Sequence, residues 1–293
     1  MKLLIAVIGG DARYLELIRQ LKAIDNIEIA LVGYDKLEQG FTGLNQIDFQ
    51  ELQVEDLDVV ILPITGMDEE GNVETVFSDQ DIQLTEAWFR KLKEKAIVFT
   101  GITNTHLSEL TKRTDTELIP LFDRDDVAIY NSIPTAEGTI MMAIENTDYT
   151  IHSSRVIVAG FGRVGNTVAS KFAALGAKVS VATKKSSDLA RITEMGLNPI
   201  SLNKLPDYTS ECDLLINTIP AMVITKEAIQ NLPSSSVIID LASKPGGTDF
   251  AYAKQRGIEA ILARSLPSIV APRTAGKILA DVIIQILTKE KEL

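Results

Sequence analysis

The sequence predicts an α/β protein of two doubly wound parallel-sheet domains with an interdomain cleft, and three observations carry that expectation. Short apolar runs alternate with helix-patterned segments through both halves of the chain. The run Val156-Ile157-Val158-Ala159 leads into Gly160-Phe161-Gly162-Arg163-Val164-Gly165 and then into a helix-like segment ending near Leu175. At 293 residues the chain is long enough for two ordinary domains, each able to bury a core.

In the first half, Leu3 to Ile8 reads as a buried strand, Tyr14 to Leu21 as a helix, and Ile27 to Val32, Val59 to Leu62 and Ile97 to Thr100 as further strands. Gly9-Gly10-Asp11-Ala12-Arg13 lacks dinucleotide spacing. It reads instead as a substrate-facing loop at the carboxyl end of the first strand, where open α/β sheets place ligands. Gly40 to Gly43 and Thr65 to Ser78 are the least periodic stretches and are expected to be mobile loops. Ser132 as N-cap, with Pro134 in the first turn, predicts a connecting helix over 132–147. This places a substrate or partner domain at 1–130 and a nucleotide-binding domain at 131–274. Further strands are expected near Leu214 to Ile216, Val237 to Asp240 and Ala260 to Leu262. After Pro272, the spacing of Ala275, Ile278, Leu279, Val282, Ile283 and Ile286 predicts a helix over 275–293 that crosses back to dock on the first domain.

The glycine motif supplies the strand, turn and helix order of a Rossmann-like dinucleotide site. The first glycine makes the tight turn, the second admits a pyrophosphate to the backbone, and the third lets helix and strand pack closely. The phosphates then meet the positive end of the helix. Lys178 to Ala182 reads as the next strand and completes a βαβ unit of about 30 residues. An NAD site usually ends that strand with an acid, but here the chain reads Thr183-Lys184-Lys185-Ser186-Ser187. Cations and hydroxyls suit a 2′-phosphate, so the expected coenzyme is NADP; the alternative is a solvated basic turn. Thr218, Ile219 and Pro220 follow the strand at Leu214, and Asp240 to Gly247 follows the strand at Val237. Both loops are expected to line the nicotinamide half of the crevice.

A formal net charge of -11 argues against nucleic acid or anionic membrane as a partner. No segment has the length and apolarity of a membrane span. The one cysteine, Cys212, excludes an intrachain disulfide and reads as structural, and His106 and His152 lack metal-ligand spacing. In so acidic a chain, Arg13, Arg124, Lys244 and Arg273 stand out at predicted strand or domain junctions. Four such cations facing one cleft would suit a dicarboxylate, although each alone is also an ordinary ion-pair partner for an acid such as Asp125 or Asp126. Asp11, Glu137 and Lys244 are the candidates for proton transfer.

Gly9 to Arg13, the segment Arg124-Asp125-Asp126-Val127-Ala128-Ile129-Tyr130-Asn131-Ser132-Ile133-Pro134-Thr135, and Asp240 to Phe250 together resemble the family of dipicolinate synthase A subunits over nearly the whole chain. The resemblance implies an NADP-dependent enzyme of the mother-cell cytoplasm in spore-forming bacteria. It would oxidise a dihydrodipicolinate-type ring to pyridine-2,6-dicarboxylate alongside a second, flavoprotein-like subunit. It gives the cations a purpose: Arg13, Arg124 and Arg273, with Glu137, become candidate substrate contacts, and Asp11 and Lys244 candidate catalytic groups. One departure stands out, because Ser265-Leu266-Pro267-Ser268 occupies the place of the family's usual Gly-Leu-Pro-Gly turn. A homo-oligomer is compatible with the sequence. Two other readings remain open: a non-catalytic NADP-binding or scaffold subunit, and an NADP-dependent dehydrogenase acting on another small acid.

Overall fold

A computed structural model describes residues 2–37, 44, 46–243 and 245–291. The chain forms two compact units, one of residues 1–128 with 271–293 and the other of residues 129–270.

Unit 1 begins with β1 (Leu3–Ile8), α1 (Ala12–Lys22) and β2 (Ile27–Val32), and continues through β3 (Val59–Ile61), β4 (Asn72–Val73), β5 (Ile82–Gln83), α2 (Glu86–Phe89), β6 (Ile97–Thr100), α3 (Thr105–Arg113) and β7 (Glu117–Pro120). Its main sheet has the order β2-β1-β3-β6-β7 with every neighbour parallel. The continuous apolar run of β1 follows from burial on both faces: Ile5 and Val7 enter one core cluster while Ala6 and Ile8 enter the other.

Helix α4 (Asp125–Glu145) carries the chain into unit 2, where β8 (Arg155–Ala159), α5 (Arg163–Ala174), β9 (Lys178–Thr183), α6 (Ser186–Glu194), β10 (Asn198–Ser201), β11 (Leu214–Asn217), α7 (Lys226–Ile229), β12 (Val237–Asp240), α8 (Phe250–Gln255), β13 (Glu259–Leu262) and α9 (Leu266–Val270) follow. The sheet order is β10-β9-β8-β11-β12-β13. Numbered from β8, this is the 3-2-1-4-5-6 arrangement of a dinucleotide-binding sheet, with its switch point between β8 and β11. Helix α10 (Pro272–Glu290) ends the chain within unit 1 and packs on α1. A Cβ on Gly276 would lie 2.0 Å from the Arg13 carbonyl oxygen, so only glycine permits this approach. No described helix is long and apolar enough to cross a membrane.

The connecting helix begins at Asp125, seven residues before the expected start at 132, and both of its sequence markers lie in its interior. Ser132 is not an N-cap: its hydroxyl donates to the Ile129 carbonyl (2.6 Å) and meets Thr167 Oγ1 (2.7 Å). Asp125 and Asp126 occupy the first turn, where acids favour the helix dipole. Thr65 to Ser78 also differs from the expected irregular loop. Its β4 pairs antiparallel with β5, and Asp68 accepts from the Glu70 and Asn72 amides to close the turn. The expected loop at Gly40 to Gly43 lies outside the described residues.

Candidate functional site

In unit 2 the glycine turn leaves β8 at the switch point. Gly160 has φ +104°, its N–H donates to the Ala182 carbonyl (2.8 Å), and a Cβ there would lie 2.2 Å from Thr218 Oγ1. Gly165 is held equally closely, since its Cβ would fall 2.2 Å from the Gly160 carbonyl oxygen. Gly162 differs: it is the N-cap of α5, has ordinary extended angles, and a Cβ there would meet nothing within 4 Å. No side chain caps the α5 amides. Phe161 and Val164 anchor the turn by packing on the core, while Arg163 is exposed in the first helical turn. Thr218 clasps the turn from β11, its N–H and hydroxyl both donating to the Ala159 carbonyl at 2.9 Å. Ile219 is half-buried beside it and Pro220 is exposed.

At the end of β9, Lys184, Lys185, Ser186 and Ser187 are exposed, and no side chain caps α6. The Thr183 hydroxyl donates to Asp188 Oδ2 at 3.1 Å. A carboxylate therefore reaches the strand end from the first turn of α6, although none occurs in residues 183–187.

In unit 1, Asp11 caps α1 by accepting from the Arg13 N–H (3.0 Å). It also takes the guanidinium fork, with Nε to Oδ1 at 2.9 Å and Nη2 to Oδ2 at 2.6 Å. Burial pushes the Asp11 carboxyl up, but the side-chain hydrogen bonds, charge and backbone N–H of Arg13 hold it below the ordinary aspartate value. A lowered native value stabilises the fold above the unfolded value of about 3.9, and that contribution disappears as pH falls through the native value. Urea melts of Asp11→Asn should thus show a deficit against wild type at neutral pH that closes below about pH 4. A cavity of about 60 Å³ lies beside the pair, lined by Gly10, Asp11, Arg13, Pro63, Thr65 and Glu74.

Arg273 reaches Glu16 (Nε to Oε2, 3.3 Å), a buried acid that also bonds Arg19 and Gln20. Arg124 forks onto Asp126 at 3.0 and 2.7 Å. Arg13, Arg124 and Arg273, expected to face one dicarboxylate, thus each have a protein carboxylate already. Glu137 is exposed on α4, and Lys244 lies outside the described residues. A larger cavity of about 640 Å³ opens by Arg155, Lys178 and Asn198, the amino ends of β8, β9 and β10. It lies opposite the helix N-termini that attract phosphate.

Residues 4–122 match the N-terminal domain of the dipicolinate synthase A subunit, and residues 128–292 match the alanine dehydrogenase/PNT C-terminal domain. The A subunit of dipicolinate synthase from Bacillus subtilis (strain 168) is 48% identical over 285 residues, spanning 97% of this chain and 96% of that protein. The chain belongs to the family of dipicolinate synthase A subunits. The crystal structure of the corresponding A subunit from Bacillus halodurans superposes with a TM-score of 0.93 at 51% identity, covering 97% of each chain. The transhydrogenase of Sinorhizobium meliloti shares the fold alone, with a TM-score of 0.67 at 13% identity over 97% of this chain and 94% of its own. Unit 2 accordingly has the nicotinamide-nucleotide-binding fold of dehydrogenases.

Ser265 keeps a glycine-like φ of +56°, while Ser268 donates to its carbonyl through N–H (3.0 Å) and hydroxyl (2.8 Å) to close the first turn of α9. Because glycine adopts this φ without strain, Ser265→Gly should stabilise the protein by about 1 kcal/mol, raising Tm by about 2–4 °C. A melt followed by circular dichroism checks this.

Proposed function

We propose that this protein binds NADP at the Gly160 turn and oxidises a dihydrodipicolinate-type ring to dipicolinate, working with a second, flavoprotein-like subunit in the mother-cell cytoplasm of a sporulating bacterium. The observation that carries the coenzyme reading is Gly162, whose Cβ would meet open space. Packing does not require a glycine there, whereas a pyrophosphate approaching the amides of α5 does. Preference for the phosphorylated coenzyme rests on the uncapped start of α6, with Lys184, Lys185 and the hydroxyl of Ser186 beside it. Asp188 opposes that preference by bringing negative charge to Thr183.

When bound, the coenzyme supplies a hydride acceptor. The turn holds its diphosphate, and Thr218, Ile219 and Pro220 border its nicotinamide end. Arg13, oriented by Asp11, receives one ring carboxylate, and Arg124 and Arg273 serve the other only by exchanging Asp126 and Glu16 for it. Fixing the ring in this way is the protein's main contribution to the rate. Of the residues suited to take the ring proton, Asp11 is committed to Arg13, which leaves Glu137 and Lys244. That commitment also favours a second reading, in which this chain binds NADP and its partner in the complex performs the chemistry.

Purified chain mixed with NADP and freshly generated dihydrodipicolinate precursor separates the two. The first reading expects NADPH absorbance from the chain alone. Turnover that waits for the flavin subunit supports the second. Dissociation constants for NADP and NAD, measured on wild type and on Lys184→Ala/Lys185→Ala, test the coenzyme. Wild type should favour NADP, the double variant should lose that preference, and a wild-type preference for NAD would refute it.

A further inference from the structure

Asp240 ends β12 with 0% of its surface exposed, and among the described residues its hydrogen-bond partners are neutral donors. Oδ1 accepts from Asn217 Nδ2 (3.0 Å) and the Ala242 N–H (2.9 Å), and Oδ2 accepts from the Gly247 N–H (3.0 Å). Its two oxygens therefore pin both ends of the arc from Ala242 to Gly247. Asn217, equally buried, stands opposite it in the parallel register of β11 and β12. The Asn217 amide in turn brackets Ile219, accepting from its N–H and donating to its carbonyl, both at 3.0 Å.

The two loops are joined a second time away from these side chains. The Gly247 carbonyl accepts from the Val223 and Ile224 amides at 3.0 and 2.8 Å. A Cβ on Gly247 would lie 2.4 Å from Asn217 Nδ2 and 2.5 Å from the carbonyl oxygens of Ile219 and Ala221. Residues 217–224 are consequently tied to residues 241–243 and 245–248 as one hydrogen-bonded body, with Asp240 and Asn217 at its centre. That body is attached to the coenzyme turn through Thr218, which holds the Ala159 carbonyl and lies against Gly160.

A buried carboxylate met by neutral donors among the described residues is a costly way to join two adjacent strand ends, which a well-packed apolar pair would hold without burying a charge. What the pair adds is direction, because each donor is met by a lone pair at a fixed angle. We propose that Asp240, acting through Asn217, is a positioning residue that sets the Thr218-Ile219-Pro220 loop at the height required by the nicotinamide end of the coenzyme. This rests on the coenzyme reading above.

Asp240→Asn keeps the volume but turns one acceptor into a donor, which must then face the Gly247 N–H or the donors at Ala242 and Asn217. The effect should be larger at the nicotinamide end than at the diphosphate, because the Thr218 N–H and hydroxyl still hold the Ala159 carbonyl beside the glycine turn. NADP and 2′-phospho-ADP-ribose, which lacks the nicotinamide, are titrated against wild type and variant. Expected are a weakening of NADP by about tenfold or more and a change in the fragment's affinity of less than about twofold. Equal weakening of both ligands means a general structural role and overturns the proposal, as does unchanged NADP affinity. If Asp240→Asn does not fold, Asn217→Ser is put through the same two titrations with the same split expected. Wild type that binds neither ligand removes the coenzyme reading and this proposal together, an outcome distinct from failure in the variant alone.

Discussion

Gly162→Ala is expected to leave the fold intact and to weaken NADP binding about a hundredfold, equivalent to about 2.7 kcal/mol. The first half of that expectation follows from the backbone: φ -81° and ψ -161° are open to alanine, and the added methyl meets no atom within 4 Å. Stability should thus change by no more than about 0.5 kcal/mol. The second half follows from the ligand, because the methyl would occupy space that the diphosphate must enter to reach the amides of α5. Gly165→Ala is the control with the opposite signature. Its methyl would press on the Gly160 carbonyl at 2.2 Å, so α5 must shift from β8. A loss of about 1–3 kcal/mol in stability should accompany its loss of binding. Thermal melts with parallel NADP titrations distinguish the two variants. Wild-type affinity in Gly162→Ala would mean that the diphosphate does not approach at this residue.

The two sheets were legible because their central strands are buried on both faces. Runs such as Leu3 to Ile8 and Val156 to Ala159 have no polar interruption, and the helices between them carry one apolar stripe. The edge strands β7 and β10 lacked that signal: they are short and mostly half-exposed, and Pro120 and Pro199 lie within them. The start of α4 was obscured by a local rule applied to the wrong residue. Ser132 followed by Pro134 reads as a helix start, yet the same hydroxyl can serve a carbonyl three residues back in an established helix. At the coenzyme site, glycine spacing exposed the turn, but Asp188 reaches Thr183 only once α6 turns the chain back on itself. The pairing of Asn217 with Asp240 depends on parallel strand register, which separates the partners by 23 residues. Cations were identifiable as residues in an acidic chain, whereas their protein partners required the fold.

Arg13→Ala should raise the Michaelis constant for the dicarboxylate ring at least tenfold, since a charge-assisted pair is worth about 1.5–3 kcal/mol. Arg273→Ala should do much less, because that side chain is 81% exposed and its pairing with Glu16 is screened by water. The Asp11 contact supplies the means to separate binding from structure. If the Arg13 fork served only to hold the cap of α1, Asp11→Asn and Arg13→Ala would lower stability similarly and leave substrate affinity alone. If the fork is preorganised for a ring carboxylate, Arg13→Ala removes the receptor, whereas Asp11→Asn only loosens it and spares most of the binding. Arg13→Lys sharpens the test, because an ammonium keeps the charge and loses the planar fork. Its Michaelis constant should lie nearer to that of alanine than to that of arginine. Retention of wild-type affinity by both Arg13 variants would take this arginine out of substrate recognition and confine it to the start of α1.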